Sequence, residues 1–247
     1  MAQATGKTRA RTRPAQPLSE RVYEQMRTDI LRCVLQPGEQ LTEAELAERY
    51  ELGKAPVRTA LTRLRHDGLV QSTPRRGWVV TPITLRDARE LFQVRLILEP
   101  QVARLAAGRI DEERLRRLDE LVQRGYRPGD PESQAAFLEA NREFHLAIAE
   151  ASGNARLTRM VNACMEEIGR LLHIGLATDD YGDKYQHEHR ELIQALIDGD
   201  QAAAESITYA AIRGGEEMVL QALLQTSTLV DLPAPPTPAP GAASGRP

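Results

Sequence analysis

The chain has 247 residues, 41% of them hydrophobic and only 4% aromatic, a size and mixture that suit one or two mainly helical domains with real cores. Its two cysteines, Cys33 and Cys164, form no CxxC pair, which argues against a disulfide framework or zinc finger and for a reduced cytoplasm. The net charge of −3 alone disfavours nucleic acid, but residues 1–82 hold 14 Lys+Arg against 9 Asp+Glu, so only the N-terminal part is suited to meet a polyanion.

No apolar run approaches the ~20 residues needed to span a bilayer, and no apolar segment follows the basic N-terminus, so neither a membrane span nor a secretory signal is expected. Residues 1–16 carry Lys7, Arg9, Arg11 and Arg13 without apolar period and read as a disordered basic arm. Val22, Met26, Ile30 and Val34 then recur at helical spacing over 18–35, and Pro37-Gly38 ends that helix. Thr42 with Glu45 makes a capping box for a short helix over 43–50. A third helix spans 55–66 and stops at Asp67-Gly68. The runs 69–72 and 78–81, across a turn at Pro74–Gly77, read as a β-hairpin, and Pro82 closes the unit. Helix, helix, turn, helix and hairpin in this order predict a winged helix-turn-helix over residues 17–82.

Beyond Thr84 the pattern is helical throughout. Candidate helices cover 85–107, 111–124, 131–151, 155–177, 184–198 and 201–224, punctuated by glycines, with Asp200 placed to cap the last. They predict an antiparallel six-helix bundle over residues 83–229, so the fold class is mainly α. Residues 230–247 hold six prolines and read as a disordered tail.

The chemistry lies in two constellations. In a helix-turn-helix the second helix enters the major groove, its first turns nearest the base edges. Here that helix buries Val57, Ala60, Leu61 and Leu64 and presents Lys54 and Arg58 on its exposed face. Arg suits bidentate contact with guanine. Arg63 lies further along, where phosphate is the expected partner, and Arg75, Arg76 and Gly77 form the hairpin tip. In the helical region Asn141, His145 and His189 share stripes with Phe144, Ile148 and Leu192, and Arg95 lies between Leu91 and Leu98 with Glu99 one turn on. Buried polar groups need partners. The histidines are either satisfied within the core or converge on a metal ion. Arg95 either pairs with Glu99 or receives a ligand carboxylate.

At this level residues 18–82 resemble the winged helix of the GntR family of bacterial regulators. The matching residues are Pro37-Gly38-Glu39-Gln40-Leu41, Leu46-Ala47, Pro56-Val57-Arg58, Ala60-Leu61, Leu64, Gly68-Leu69-Val70 and Gly77. Gly53, Lys54, Ala55 and Thr59 stand where the family commonly has Ser, Arg, Thr and Glu, which implies a shifted operator preference. The resemblance implies that Lys54, Arg58, Thr59, Arg63, Arg75, Arg76 and Gly77 face DNA. The rest resembles the FCD ligand-binding domain, and six helices point to its VanR-like subgroup. Arg95, Glu99, Asn141-Arg142-Glu143-Phe144-His145, Ser152-Gly153-Asn154, His189 and Gly199-Asp200 carry that likeness.

The likeness implies a homodimer on a two-fold DNA operator, a repressor rather than an enzyme, and a small organic-acid effector held by Arg95, Asn141, His145 and His189. It also implies a divalent metal (Zn, Ni or Mn) on Asn141, His145 and His189. The fourth expected ligand, near Ala211, is missing, so such a metal is expected to be loosely bound or absent. Two rival readings are a metalloenzyme built on the helical region and a ligand-free architectural DNA binder.

Overall fold

The computed structural model describes residues 17–74, 77–127, 129–176 and 182–225. The basic arm, the Pro-rich tail and the wing-tip residues Arg75 and Arg76 lie outside them.

The N-terminal part, here the head, runs α1 (Leu18–Leu31), β1 (Gln40–Leu41), α2 (Glu43–Arg49), α3 (Lys54–His66), β2 (Val70–Thr73) and β3 (Gly77–Val80). Val22, Met26 and Ile30 of α1 are buried as their spacing predicts. Val34 is not: it is 51% exposed, and Leu35 is buried in its place. The helix stops early because Cys33 takes a left-handed backbone (φ 53°). The Cys33 amide donates to Ile30 O and the Val34 amide to Asp29 O, a Schellman closure usually built on glycine. Glu51 (φ 53°) ends α2 in the same way, with its amide on Glu48 O and that of Leu52 on Ala47 O.

At the start of α2 the capping box is formed: Glu45 N donates to Thr42 Oγ1 at 3.2 Å and Thr42 N to Glu45 Oε2 at 3.0 Å. The hairpin has a third strand that its own sequence did not announce. β1 pairs antiparallel with β3 in the order β1-β3-β2, with Leu41 opposite Trp78 and Val70 opposite Val80. Two residues are too short to show an alternating pattern. Gly77 has φ 88°, and a Cβ there would lie 2.6 Å from Leu41 O, so its glycine is required by the close approach of β1.

The second part, the body, contains α4 (Leu85–Ala106), α5 (Glu112–Gln123), α6 (Pro131–Ala151), α7 (Ala155–Leu176), α8 (Gly182–Asp198) and α9 (Gln201–Gln225). Thr84 and Asp87 cap α4 reciprocally, and Asp200 accepts from the amides of Ala202 and Ala203 at the start of α9. α4 lies along α9, α6 packs on α5 and α7, and α5 on α8. Their core centres on Phe92, Phe144, Ile168 and Leu196 and is distinct from that of the head. Head and body meet where α1 touches α7. Arg27 pairs with Glu166, and the Arg170 guanidinium donates to Thr81 O at 2.8 Å.

Candidate nucleic-acid interface and buried polar cluster

α3 turns its apolar stripe inward, with Val57, Ala60, Leu61 and Leu64 fully buried. Gly53 caps it without a side-chain hydrogen bond. Gly in place of Ser at an N-cap costs a few tenths of a kcal/mol, roughly. The opposite face is open to solvent: Lys54, Arg58 and Thr59 are all exposed. Thr59 Oγ1 donates back to Ala55 O at 3.2 Å.

Arg58 is anchored rather than loose. Its Nε donates to both oxygens of Glu43 at 3.0 Å, and its Nη2 to Glu43 Oε2 at 2.7 Å. The Arg58 side chain remains 66% exposed. Hydrogen bonds from Arg58 and Trp78 hold the Glu43 carboxyl below its usual range, so the pair is ionised. A guanidinium has five N–H donors. The Nε–Nη2 edge is spent on Glu43, leaving the donors of the Nη1 end. Sequence reasoning missed Glu43, because nothing in the spacing of two helices ties position 43 to position 58.

Arg63 is held against the head. It pairs with Glu20 of α1 and its guanidinium carbon lies 3.8 Å from the Tyr23 ring centre. Both partners belong to the head's own scaffold, so this geometry favours a stacking role over the expected phosphate contact. The acidic residue two positions before Val22 and the aromatic after it were the available signals. Gly77 sits at the base of β3, where backbone packing already explains it.

In the body, α4, α6 and α8 bring the four expected polar residues into one region. Arg95 donates from Nε to Glu99 Oε1 at 2.5 Å and from Nη2 to Oε2 at 3.3 Å, both residues being buried. His145 Nδ1 lies 2.8 Å from Glu99 Oε2. Burial pushes the Glu99 carboxyl up, but Arg95 and His145 outweigh it and hold it down at about 2. Glu99 is thus the centre of a buried Arg–Glu–His network, a bridging role that spacing to Arg95 alone did not reveal. His189 stacks on Phe144, ring centres 4.0 Å apart and planes 9° from parallel. Its Nδ1 lies 3.4 Å from Asp119 Oδ1 but is too poorly aligned to be satisfied. Burial pushes the His189 imidazole below its usual range, so it is neutral. Asn141 Oδ1 is buried and has no hydrogen-bond partner.

These donors were tested as a metal site. A His whose Nδ1–H is held by a carboxylate presents Nε2 to a metal, and the Glu99–His145 contact has that form. Two imidazoles on one tetrahedral ion at ~2.1 Å would hold their ring centres about 5.3 Å apart. The His145 and His189 centres are 6.2 Å apart. Among the described residues no group of three or more His, Cys, Asp or Glu side chains is gathered tightly enough for a metal. The site is therefore not preformed, and no chemistry is assigned to a metal here.

The comparisons agree with the two halves. The gntR family of bacterial regulatory proteins matches residues 18–80, and the FCD domain matches residues 90–214. The HTH-type transcriptional repressor RspR of Escherichia coli K12 is 26% identical over 192 residues, covering 78% of this chain and 84% of its own. The HTH-type transcriptional regulator LutR of Bacillus subtilis is 28% identical over 207 residues, 75% of this chain and 93% of its own. Among solved structures, Escherichia coli McbR/YncC superimposes with a TM-score of 0.71 at 23% identity, over 84% of this chain and 99% of that one. A putative GntR regulator from Rhodococcus sp. RHA1 gives 0.68 at 23% identity, over 83% and 98%. At those identities the two structures establish the fold alone. No helix among the described residues is long and apolar enough to cross a membrane. The open face of α3 and the family matches lead to one conclusion, which sets the metalloenzyme reading aside: the chain belongs to the GntR family of bacterial regulatory proteins, carries an FCD domain behind its winged helix, and is a DNA-binding transcriptional regulator, not an enzyme.

Proposed function

We propose that this regulator is a cytoplasmic homodimeric repressor of the VanR-like subgroup, released from a two-fold operator by a small organic acid. Residues 17–82 form the DNA-reading unit and residues 83–229 the sensing and pairing unit. Lys54, Arg58 and Thr59 meet base edges, and Arg75, Arg76 and Gly77 follow the backbone at the wing. RspR of Escherichia coli, a transcriptional repressor, supports the direction of control. The six helices of the body support the subgroup.

Pairing is assigned to an outward stripe of α4. Val94, Ile97 and Leu105 stand at helical spacing and are 42%, 70% and 43% exposed, with Tyr209 of α9, 51% exposed, nearby in the packing of these two helices. Apolar side chains in register on one face are what an isologous contact buries.

The ligand half rests on one observation: Asn141 Oδ1 is buried without a hydrogen bond beside a charged network, where His189 Nδ1 has only a 3.4 Å contact with Asp119. Each unsatisfied group costs roughly 1–3 kcal/mol, and a bound effector offsets that cost. The acid's carboxylate competes with Glu99 for Arg95 and its polar groups meet Asn141, His145 and His189. Any divalent metal (Zn, Ni or Mn) joins Asn141, His145 and His189 only after the two imidazoles move closer, and is loosely held. Effector binding changes the freedom of the heads and so operator affinity. Thermal melting against a library of organic acids tests this. An acid that raises the midpoint in wild type but not in Asn141→Leu supports the sensor, and the absence of any such acid leaves a ligand-free DNA binder.

A further inference from the structure

A second polar site lies outside the buried cluster, at the junction of head and body. A cleft of about 220 Å³ opens between α1, α6 and α7, lined by Arg27, Arg32, Arg142 and His173 among others. The acids that line it are Glu139 and Glu166. Glu166 is committed to Arg27, and Glu139 lies 3.5 Å from Arg142, which also pairs with Glu143 outside the cleft. Arg32 and His173 form no ion pair among the described residues. Three guanidinium groups and two carboxylates line this small space, and Arg32 is the guanidinium without an ion pair among the described residues. Burial pushes the His173 imidazole down to about 4, with Arg32 adding to the effect, so at neutral pH His173 is an uncharged N–H donor beside the Arg32 guanidinium.

We propose that this junction cleft binds a small oxyanion, a phosphate or a short dicarboxylate, between Arg32 and His173. Its volume of about 220 Å³ has room for such an ion. Arg32 belongs to the end of α1 and His173 to α7, so one bound ion touches both the DNA-reading head and the sensing body. Guanidinium N–H groups match the paired oxygens of either class of ion. The site is independent of the Arg95–Glu99–His145 network, and either can fail without the other.

The test uses the full-length protein and two probes, sodium phosphate and sodium malonate, each compared with sodium chloride at equal ionic strength. At probe concentrations well above the dissociation constant the melting midpoint rises by about 3 °C in wild type. Arg32→Gln, an exposed position, loses the rise, and the His173 ring proton signals move on addition of the probe. Activity of one probe and not the other identifies the class. A rise no larger than with chloride, or one retained in Arg32→Gln, overturns the proposal.

Discussion

Glu43 grips Arg58 by its Nε–Nη2 edge, across the turn that joins α2 to α3. The grip does not block DNA reading. It leaves the Nη1–Nη2 end of the guanidinium, whose two N–H donors suit guanine O6 and N7 together, for the proposed base contact. Arg58→Ala is expected to cost roughly 1–3 kcal/mol at the cognate base pair and to erase discrimination between operator and random duplex. Glu43→Gln keeps the size but weakens the anchor, so specificity falls by less. Titrations at fixed salt with matched and mismatched duplexes measure both.

Arg63 lies over Tyr23 and against Glu20. Arg63→Ala is therefore expected to lower the stability of the head slightly while leaving the operator-to-random ratio unchanged. Chemical denaturation and the same titrations check the two halves. A drop in affinity equal on all duplexes, with no loss of stability, would restore the phosphate contact that the sequence suggested.

The outward apolar stripe of α4 gives a direct test of pairing. Ile97→Glu places a charge where 70% of the side chain already meets solvent, so the monomer keeps its fold. Light scattering on the full chain is expected to read a dimer for wild type and a monomer for the variant. A dimer unaffected by Ile97→Glu places the interface elsewhere.

Metal affinity follows from the ligand count. Ala211→His on α9 supplies the missing fourth donor and is expected to tighten zinc binding, whereas His145→Ala is expected to abolish it. Metal analysis after purification without chelator reads the outcome. Zinc retained by Ala211→His and kept equally after His145→Ala is added would contradict the placement.

Stability should fall with acid. His173 and His189 both have their pKa depressed by burial. The unfolded chain therefore binds their protons first, near the usual value of ~6.5. The stability they contribute is complete above that pH and is lost as pH drops toward about 4 for His173. Melting midpoints are expected to decline from pH 7 to pH 5, and His173→Gln to flatten the slope. Glu99, held at about 2, keeps its contribution throughout that window and loses it only in stronger acid.

Much of this was legible beforehand. The capping box at Thr42, the apolar stripes of α3 and α6 and the glycine breaks carry local signals, and each appears where its spacing puts it. Arg95 with Glu99 was visible as one turn of a helix. What was hidden is what joins distant positions. β1 is too short to alternate, Glu43 reaches Arg58 only through the turn between two helices, and Glu99 meets His145 across two helices. Cys33 and Glu51 end their helices left-handed without the glycine that usually announces such a stop.

The most direct test of the account is the ratio of affinities for a selected operator and a scrambled duplex, measured by anisotropy at fixed salt, without and with an acid that shifts melting. Specific readers bind cognate sites roughly 10³-fold or more above random DNA. The account predicts such a ratio for wild type and its decline when the acid is added. Equal binding to both duplexes, or a ratio that no stabilising acid alters, would contradict it.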